Sequence, residues 1–300
     1  MTLKKPKEGE ATPRPYNALH MEDIMLRQPA VAGRFYEGAP ALLKKEVGAF
    51  IEEDLKKEKA IGIVCPHAGY VYSGSVAGAV YSRIIIPQTV ILMGPNHTGI
   101  GKAVSVFPEG EWTMPNGVVP VNNKLAELIL EYSKTASADH HAHQYEHSLE
   151  VQIPFIQYFS KDFSIVPITI MDTSLKTCQS LGEGIAKAVL ELKKREKEKG
   201  GNGDVLIVSS TDMTHYESHD SAKTKDKKAI DKILSLDAEG LHKTVKEYGI
   251  SMCGFAPTVS MLYASKMLGA KKAKLIKYMT SGEVSGDYQQ VVGYAGIIIQ

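Results

Sequence analysis

The chain is predicted to fold as an α/β sandwich around a largely parallel sheet, and two observations predict it. Apolar runs at residues 60–66 (AIGIVCP), 89–95 (TVILMGP), 163–170 (FSIVPITI), 204–210 (DVLIVSS) and 291–299 (VVGYAGIII) are bounded by Gly, Pro or polar breaks. Runs of that length and composition suit strands buried on both faces. Between them, residues 125–133, 149–159, 181–199 and 228–236 carry apolar side chains at helical spacing. Alternating strands and helices put helical layers on a central sheet.

The opening stretch is rich in Lys, Glu and Pro and has no hydrophobic periodicity, so residues 1–25 are expected to be a disordered tail. Residues 26–300 show neither an internal repeat nor a sharp change of composition and are read as a single domain. The segment KKREKEKGGNGD (193–204) is a solvated helix end running into a Gly-rich turn. Near the C-terminus, SGEVSGD (281–287) joins a strand-like run to the last strand, as a hairpin connection does.

Composition narrows the function classes. With 300 residues, 43% apolar and 23% charged, the chain can bury a sizeable core without help from disulfides or metal. A net charge of +1 argues against a broad attraction to nucleic acid. No apolar run is long enough to span a bilayer, and the start lacks an apolar signal core, so no membrane partner is expected. Cys65, Cys178 and Cys253 are an odd number and far apart, which fits a reducing cytoplasm. Neither a phosphate loop nor a dinucleotide fingerprint follows any strand.

The strand ends carry the chemistry. His67 follows the first run, His97 the second (VILMGPNH), and Asp212 and His215 the fourth (VLIVSSTDMTHY). Ligands of open α/β sheets bind beyond the carboxyl ends of the strands, so these side chains are expected to converge. Gly69, Gly74, Gly94 and Gly99 permit tight turns beside them, and Tyr72 and Asn96 stand there as candidates for contact with a substrate. Cys253 precedes a helix start with Pro257 in its first turn. Two imidazoles and a thiolate would suit iron(II), copper or zinc, with Asp212 as an alternative ligand or a neighbour of the set. Cys65 and Cys178 are read as structural. In DHHAHQYEHSLEVQIPF (139–155), Glu146, His147 and Glu150 are placed near the pocket, with Glu146 and Glu150 sharing a helix face at i, i+4. For His140, His141 and His143 the sequence leaves two readings, a metal-binding tract or residues that do no more than face solvent.

The motifs PAVAGRFY, CPHAGYVYSG, GPNH, EHSLEVQIPF, SSTDMTHY, MCGFAP and GYAGI, in this order, resemble the Memo family over about residues 27–300. Prokaryotic members are similar to component B of the AmmeMemoRadiSam system. The resemblance implies a three-layer sandwich around a mixed, mostly parallel sheet, like the LigB-type class III extradiol dioxygenases. It implies that His67, His97 and Cys253 match the metal-binding set, with Asp212 and His215 beside it. A radical-SAM protein and a companion domain are implied as partners, with a small molecule or peptide as pocket ligand. Those dioxygenases use two histidines and a glutamate on iron, and Cys253 stands where the glutamate is expected. Two functions follow. One is metal handling, redox chemistry or ligand binding. The other is an iron(II)-dependent oxidoreductase acting on an aromatic or related small substrate, with His215, Asp212 and His147 as catalytic groups and Tyr72, Asn96 and Glu146 contacting substrate.

Overall fold

A computed structural model describes residues 25–300, so the expected N-terminal tail lies, apart from Met25, outside the described residues. In chain order the elements are β1 (Leu26–Arg27), α1 (Pro40–Phe50), β2 (Gly62–Cys65), α2 (Tyr70–Tyr81), β3 (Thr89–Pro95), β4 (Val104–Val106), β5 (Glu111–Met114), β6 (Gly117–Pro120), α3 (Asn123–Tyr132) and β7 (Ser137–Ala138). Short 3₁₀ turns at His141–His143 and Glu150–Gln152 lead to α4 (Ile153–Phe159), followed by β8 (Ser164–Ile170), α5 (Leu175–Glu198), β9 (Val205–Ser210) and β10 (His215–Glu217). The chain closes with α6 (His219–Leu234), α7 (Ala238–Glu247), α8 (Phe255–Met267), β11 (Ala273–Thr280), α9 (Gly282–Ser285) and β12 (Val291–Ile299).

The main sheet runs β10-β12-β2-β9-β3-β8-β4-β7, with β11 on the other edge of β12. Its centre, β2-β9-β3-β8, is parallel, while β12 and β4 pair antiparallel on either side. The apolar runs are unbroken because alternate residues enter opposite cores. On β3, Val90 and Leu92 join the core with α2 and α4, whereas Ile91 and Met93 join the core with α5 and α8. β2 and β9 divide in the same way, so every side chain of these strands leaves water. The result is a three-layer α/β sandwich with a mixed sheet.

β2 leads through α2 on one face to β3, and β8 leads through α5 on the other face to β9, which inserts between β2 and β3. This reversal opens a crevice at the carboxyl ends of those strands. Register levels them, because Cys65 pairs with Ser210 and Met93 with Ser209. The residues just beyond, His67, His97 and Asp212, therefore lie around one opening.

Several elements differ from the sequence reading. β1, β5 and β6 form a separate three-stranded sheet over the α1 side, and the Gly/Tyr-rich stretch read as a loop is α2. Gly74 and Gly78 serve packing there, since a Cβ on either would strike Phe50, at 2.4 Å from its ring and 2.1 Å from its carbonyl oxygen respectively. Glu146 and Glu150 do not share a helix face: the backbone turns through residues 146–149 and tightens into 3₁₀ geometry only at Glu150. The hairpin at the C-terminus is present as β11 and β12, joined through α9.

Gly78→Ala is expected to destabilise the fold by about 1–3 kcal/mol, because the new methyl meets backbone and has nowhere to move. A urea midpoint unchanged from wild type would show that the α1–α2 junction yields.

Candidate metal centre

His67, His97 and Cys253 offer Nδ1, Nε2 or Sγ atoms that all lie within 4.8 Å of one another. His67 comes from the end of β2, His97 from the end of β3, and Cys253 from the residues just before α8. Cys253 is fixed because Gly254 N–H donates to Thr211 Oγ1 at 2.8 Å, and any side chain on Gly254 would collide with Thr211 and the Ser210 carbonyl. Its Sγ accepts the Asp212 N–H at 3.3 Å and stands 3.2 Å from His67 Nε2.

The two histidines are held differently. His67 is buried, with Nδ1 at 3.1 Å from Ser210 Oγ, and its backbone N–H donates to Asp212 Oδ1 at 2.8 Å. Burial, reinforced by the neighbouring His97 and His147 rings, holds it well below the ordinary histidine range and so favours the neutral ring. His97 is about one-third exposed, and its Nδ1 lies 2.9 Å from Glu146 Oε1. That pairing leaves Nε2 for a metal, the carboxylate–histidine arrangement that orients metal ligands.

Glu146 is fully buried and accepts from His97 N–H at 2.6 Å, His147 N–H at 3.0 Å and Ser148 N–H at 2.8 Å, in addition to the His97 ring. Burial alone would raise its pKa, but the hydrogen bond and charge of His97 and the Ser148 N–H bring it down to about 2. Its carboxylate is thus filled by protein donors.

His147 stacks on His97 at 4.6 Å between centroids and meets His67 edge-on at 5.5 Å, with Phe35 against its other side at 4.9 Å. It belongs to a second ligand-capable group, with His97 and Glu146. Asp212 is buried behind Cys253, with Oδ2 3.9 Å from His67 Nε2. Burial pushes its carboxyl up to about 6, against the pull of the His67 N–H. Burial and the Asp212 carboxylate push the Cys253 thiol up, and a coordinated cation reverses that order by taking the thiolate outright. His215 points Nδ1 at the Ser251 carbonyl, 2.9 Å away, so Nδ1 carries the proton and Nε2 is free to accept. Tyr72, in the first turn of α2, is exposed, while Asn96 uses its carboxamide in the turn after β3, accepting from Thr98 and Gly99 N–H.

The histidine-rich loop departs from the solvent-facing reading. His141 is exposed and His140 is half-buried. His143 is fully buried among Phe107, Trp112 and Arg27, and neither ring nitrogen has a hydrogen-bond partner among the described residues. Glu150, read as a pocket residue, instead accepts from Arg27, from Ala30 and Val31 N–H at 2.7 and 3.1 Å, and from Tyr36 Oη–H at 2.5 Å. Sequence reasoning missed Ser210 and Phe35 as neighbours of the site. The one signal for Ser210 is a Ser-Ser pair closing an otherwise apolar strand.

Fold and site together define an α/β protein with a candidate His–His–Cys metal centre at the carboxyl ends of parallel strands. The chain belongs to the Memo family: the family described as Memo-like protein matches residues 27–298. It is 39% identical over 283 residues to a MEMO1 family protein of Methanothermobacter thermautotrophicus, covering 90% of this chain and 99% of the relative. It is 40% identical over 290 residues to one of Methanopyrus kandleri (92% and 99% covered) and 42% identical over 277 residues to one of Methanosarcina barkeri (92% and 100% covered).

Burial, then the Arg27 charge, lowers the His143 pKa to about 3, whereas an unfolded histidine titrates near 6.5. The unfolded chain therefore binds the extra proton, and the stabilisation present above about pH 6.5 is lost as pH falls toward 3. Between pH 7 and pH 5 this one group is expected to cost about 2 kcal/mol of stability. Urea unfolding at both pH values should show His143→Phe losing less than wild type by that amount.

Proposed function

We propose that the chain binds one metal ion on His67, His97 and Cys253, iron(II) first with copper or zinc as alternatives, and works in metal handling, redox chemistry or ligand binding at that pocket. The observation that carries this reading is the convergence of three donors from three separate elements, one a neutral buried imidazole and one an imidazole backed by a carboxylate. A bound metal would supply a Lewis-acidic or electron-accepting centre with room for a further ligand. The chain's own residues would do the rest. Glu146 orients His97, Asp212 holds the His67 backbone and the Cys253 sulfur, and His147 offers an imidazole whose Nδ1 stands 3.5 Å from Glu146 Oε1. A thiolate is softer and more oxidisable than the carboxylate of a dioxygenase set, which favours handling of a soft metal over ring cleavage.

A second reading is an oxidoreductase of extradiol-dioxygenase type on a LigB-like fold, acting on an aromatic or related small substrate. It is favoured by His215, whose unoccupied Nε2 near Asp212 suits a proton acceptor, and by an exposed Tyr72 in the first turn of α2 that could meet an aromatic ring. A reducing cytoplasm as the setting is supported by three free thiols. Among the described residues no helix is long and apolar enough to cross a membrane.

Protein purified without oxygen or chelator is expected to carry about one metal per chain, falling at least tenfold in Cys253→Ser. Metal-free wild type, with no uptake of added iron(II), copper(I) or zinc, would overturn the reading. With the site filled, oxygen uptake on a panel of catechols selects the oxidoreductase; its absence selects handling or binding.

A further inference from the structure

We infer that Ser210 is a positioning residue that fixes which nitrogen of His67 carries the proton, and that Gln152 and the Ser148 carbonyl fix Ser210 in turn. The inference deepens the metal reading and rests on it for its purpose, though its geometry stands independently.

The argument is one of donors and acceptors. Ser210 Oγ lies 2.6 Å from the Ser148 carbonyl oxygen, which can only accept, so the hydroxyl proton of Ser210 points there. Gln152 Nε2 lies 2.9 Å from the same Oγ and 2.8 Å from the Pro66 carbonyl oxygen. An amide oxygen in that place would face the Pro66 oxygen without a proton between them, so the nitrogen belongs there and Gln152 donates to both. The Tyr81 hydroxyl, 3.1 Å from Gln152 Oε1, completes the amide's orientation by donating to it. With its proton committed and one lone pair taken by Gln152, Ser210 can only accept from His67 Nδ1, 3.1 Å away. The proton is therefore on Nδ1, and the Nε2 lone pair is directed at Cys253 Sγ, into the ligand set.

The network has something to select against. Asp212 Oδ2 lies 3.9 Å from His67 Nε2 and would draw the proton to that nitrogen, where it would block the metal. Ser210, Gln152, Tyr81 and His67 are all at most 2% exposed, so no bulk water competes for these bonds. Four chain segments meet in the relay: β9 supplies Ser210, the Glu150–Gln152 turn supplies the amide, α2 supplies Tyr81, and the loop after β2 supplies the imidazole.

The test is imidazole ¹⁵N NMR on metal-free protein together with cobalt(II) titration, read by thiolate-to-cobalt absorption. Wild type is expected to show His67 with a protonated Nδ1 and an unprotonated Nε2. Ser210→Ala should shift the proton toward Nε2 and weaken cobalt(II) binding 10–100-fold, and Ser210→Thr, which restores a hydroxyl, should recover both. A wild-type ring protonated on Nε2, or a Ser210→Ala variant with unchanged nitrogen shifts, overturns the inference; should that variant fail to fold, the wild-type spectrum decides. If the nitrogen pattern is as expected but wild type binds no cobalt(II), the positioning stands and the metal reading fails.

Discussion

Two buried carboxylates hold the site in place. Ionised carboxylates survive away from water only where donors surround them, and Glu146 and Glu150 collect theirs from different parts of the chain. Glu146 takes the backbone and ring of His97 and the turn after itself. Glu150 takes Arg27, Tyr36 and the backbone of Ala30 and Val31. Arg27 ties the two together: it donates to Glu150 and to the Glu146 and His143 carbonyls while its guanidinium lies 4.3 Å over the Trp112 ring. One loop thereby pins both the end of β3 and the segment from Arg27 to Tyr36, and that segment carries Phe35 onto His147. The imidazole geometry is inherited from charge satisfaction some distance away.

The pocket has a closed side and an open side. His67, Asp212 and Ser210 are sealed within the sheet end, tied to one another and to Gln152 by hydrogen bonds. His97 and His147 are partly exposed, and their rings stack on one another. In the metal-free protein the Cys253 thiol can donate to His67 Nε2, so the lone pair a cation would take is already engaged. Loading of a metal would then exchange a proton for a cation without a need to rearrange the side chains.

What the sequence revealed follows from what the physics makes local. Strands buried on both faces must be apolar throughout, so β2, β3, β8, β9 and β12 stood out, and with them the strand-end positions of His67 and His97. α2 was hidden because Gly74 and Gly78 look like turn residues, yet they are required by the closeness of Phe50, a contact no local pattern encodes. The spacing of Glu146 and Glu150 suggested a helix face, but donors available only after folding drew the backbone into a turn. A polar run looks solvent-exposed, and only the aromatic box of Phe107 and Trp112 shows that His143 is inside. Gln152 sat unremarked in an amphipathic stretch, because its role needs Pro66, Tyr81 and Ser210, which are remote in sequence.

The distances along the chain between site partners have a further consequence. Cys253 and His67 are 186 residues apart, and Asp212 and His67 are 145 apart. Contacts of such range carry a loop-closure entropy that the assembly of the intervening sheet has to meet. A growing chain on the ribosome has both imidazoles long before it has the thiol, so it can offer a passing metal only an incomplete grip. Tight capture would begin when the sheet and α8 are assembled, and the ion would then add its binding free energy to the finished fold by mass action. Occupancy of the complete His67–His97–Cys253 set would therefore register completed folding.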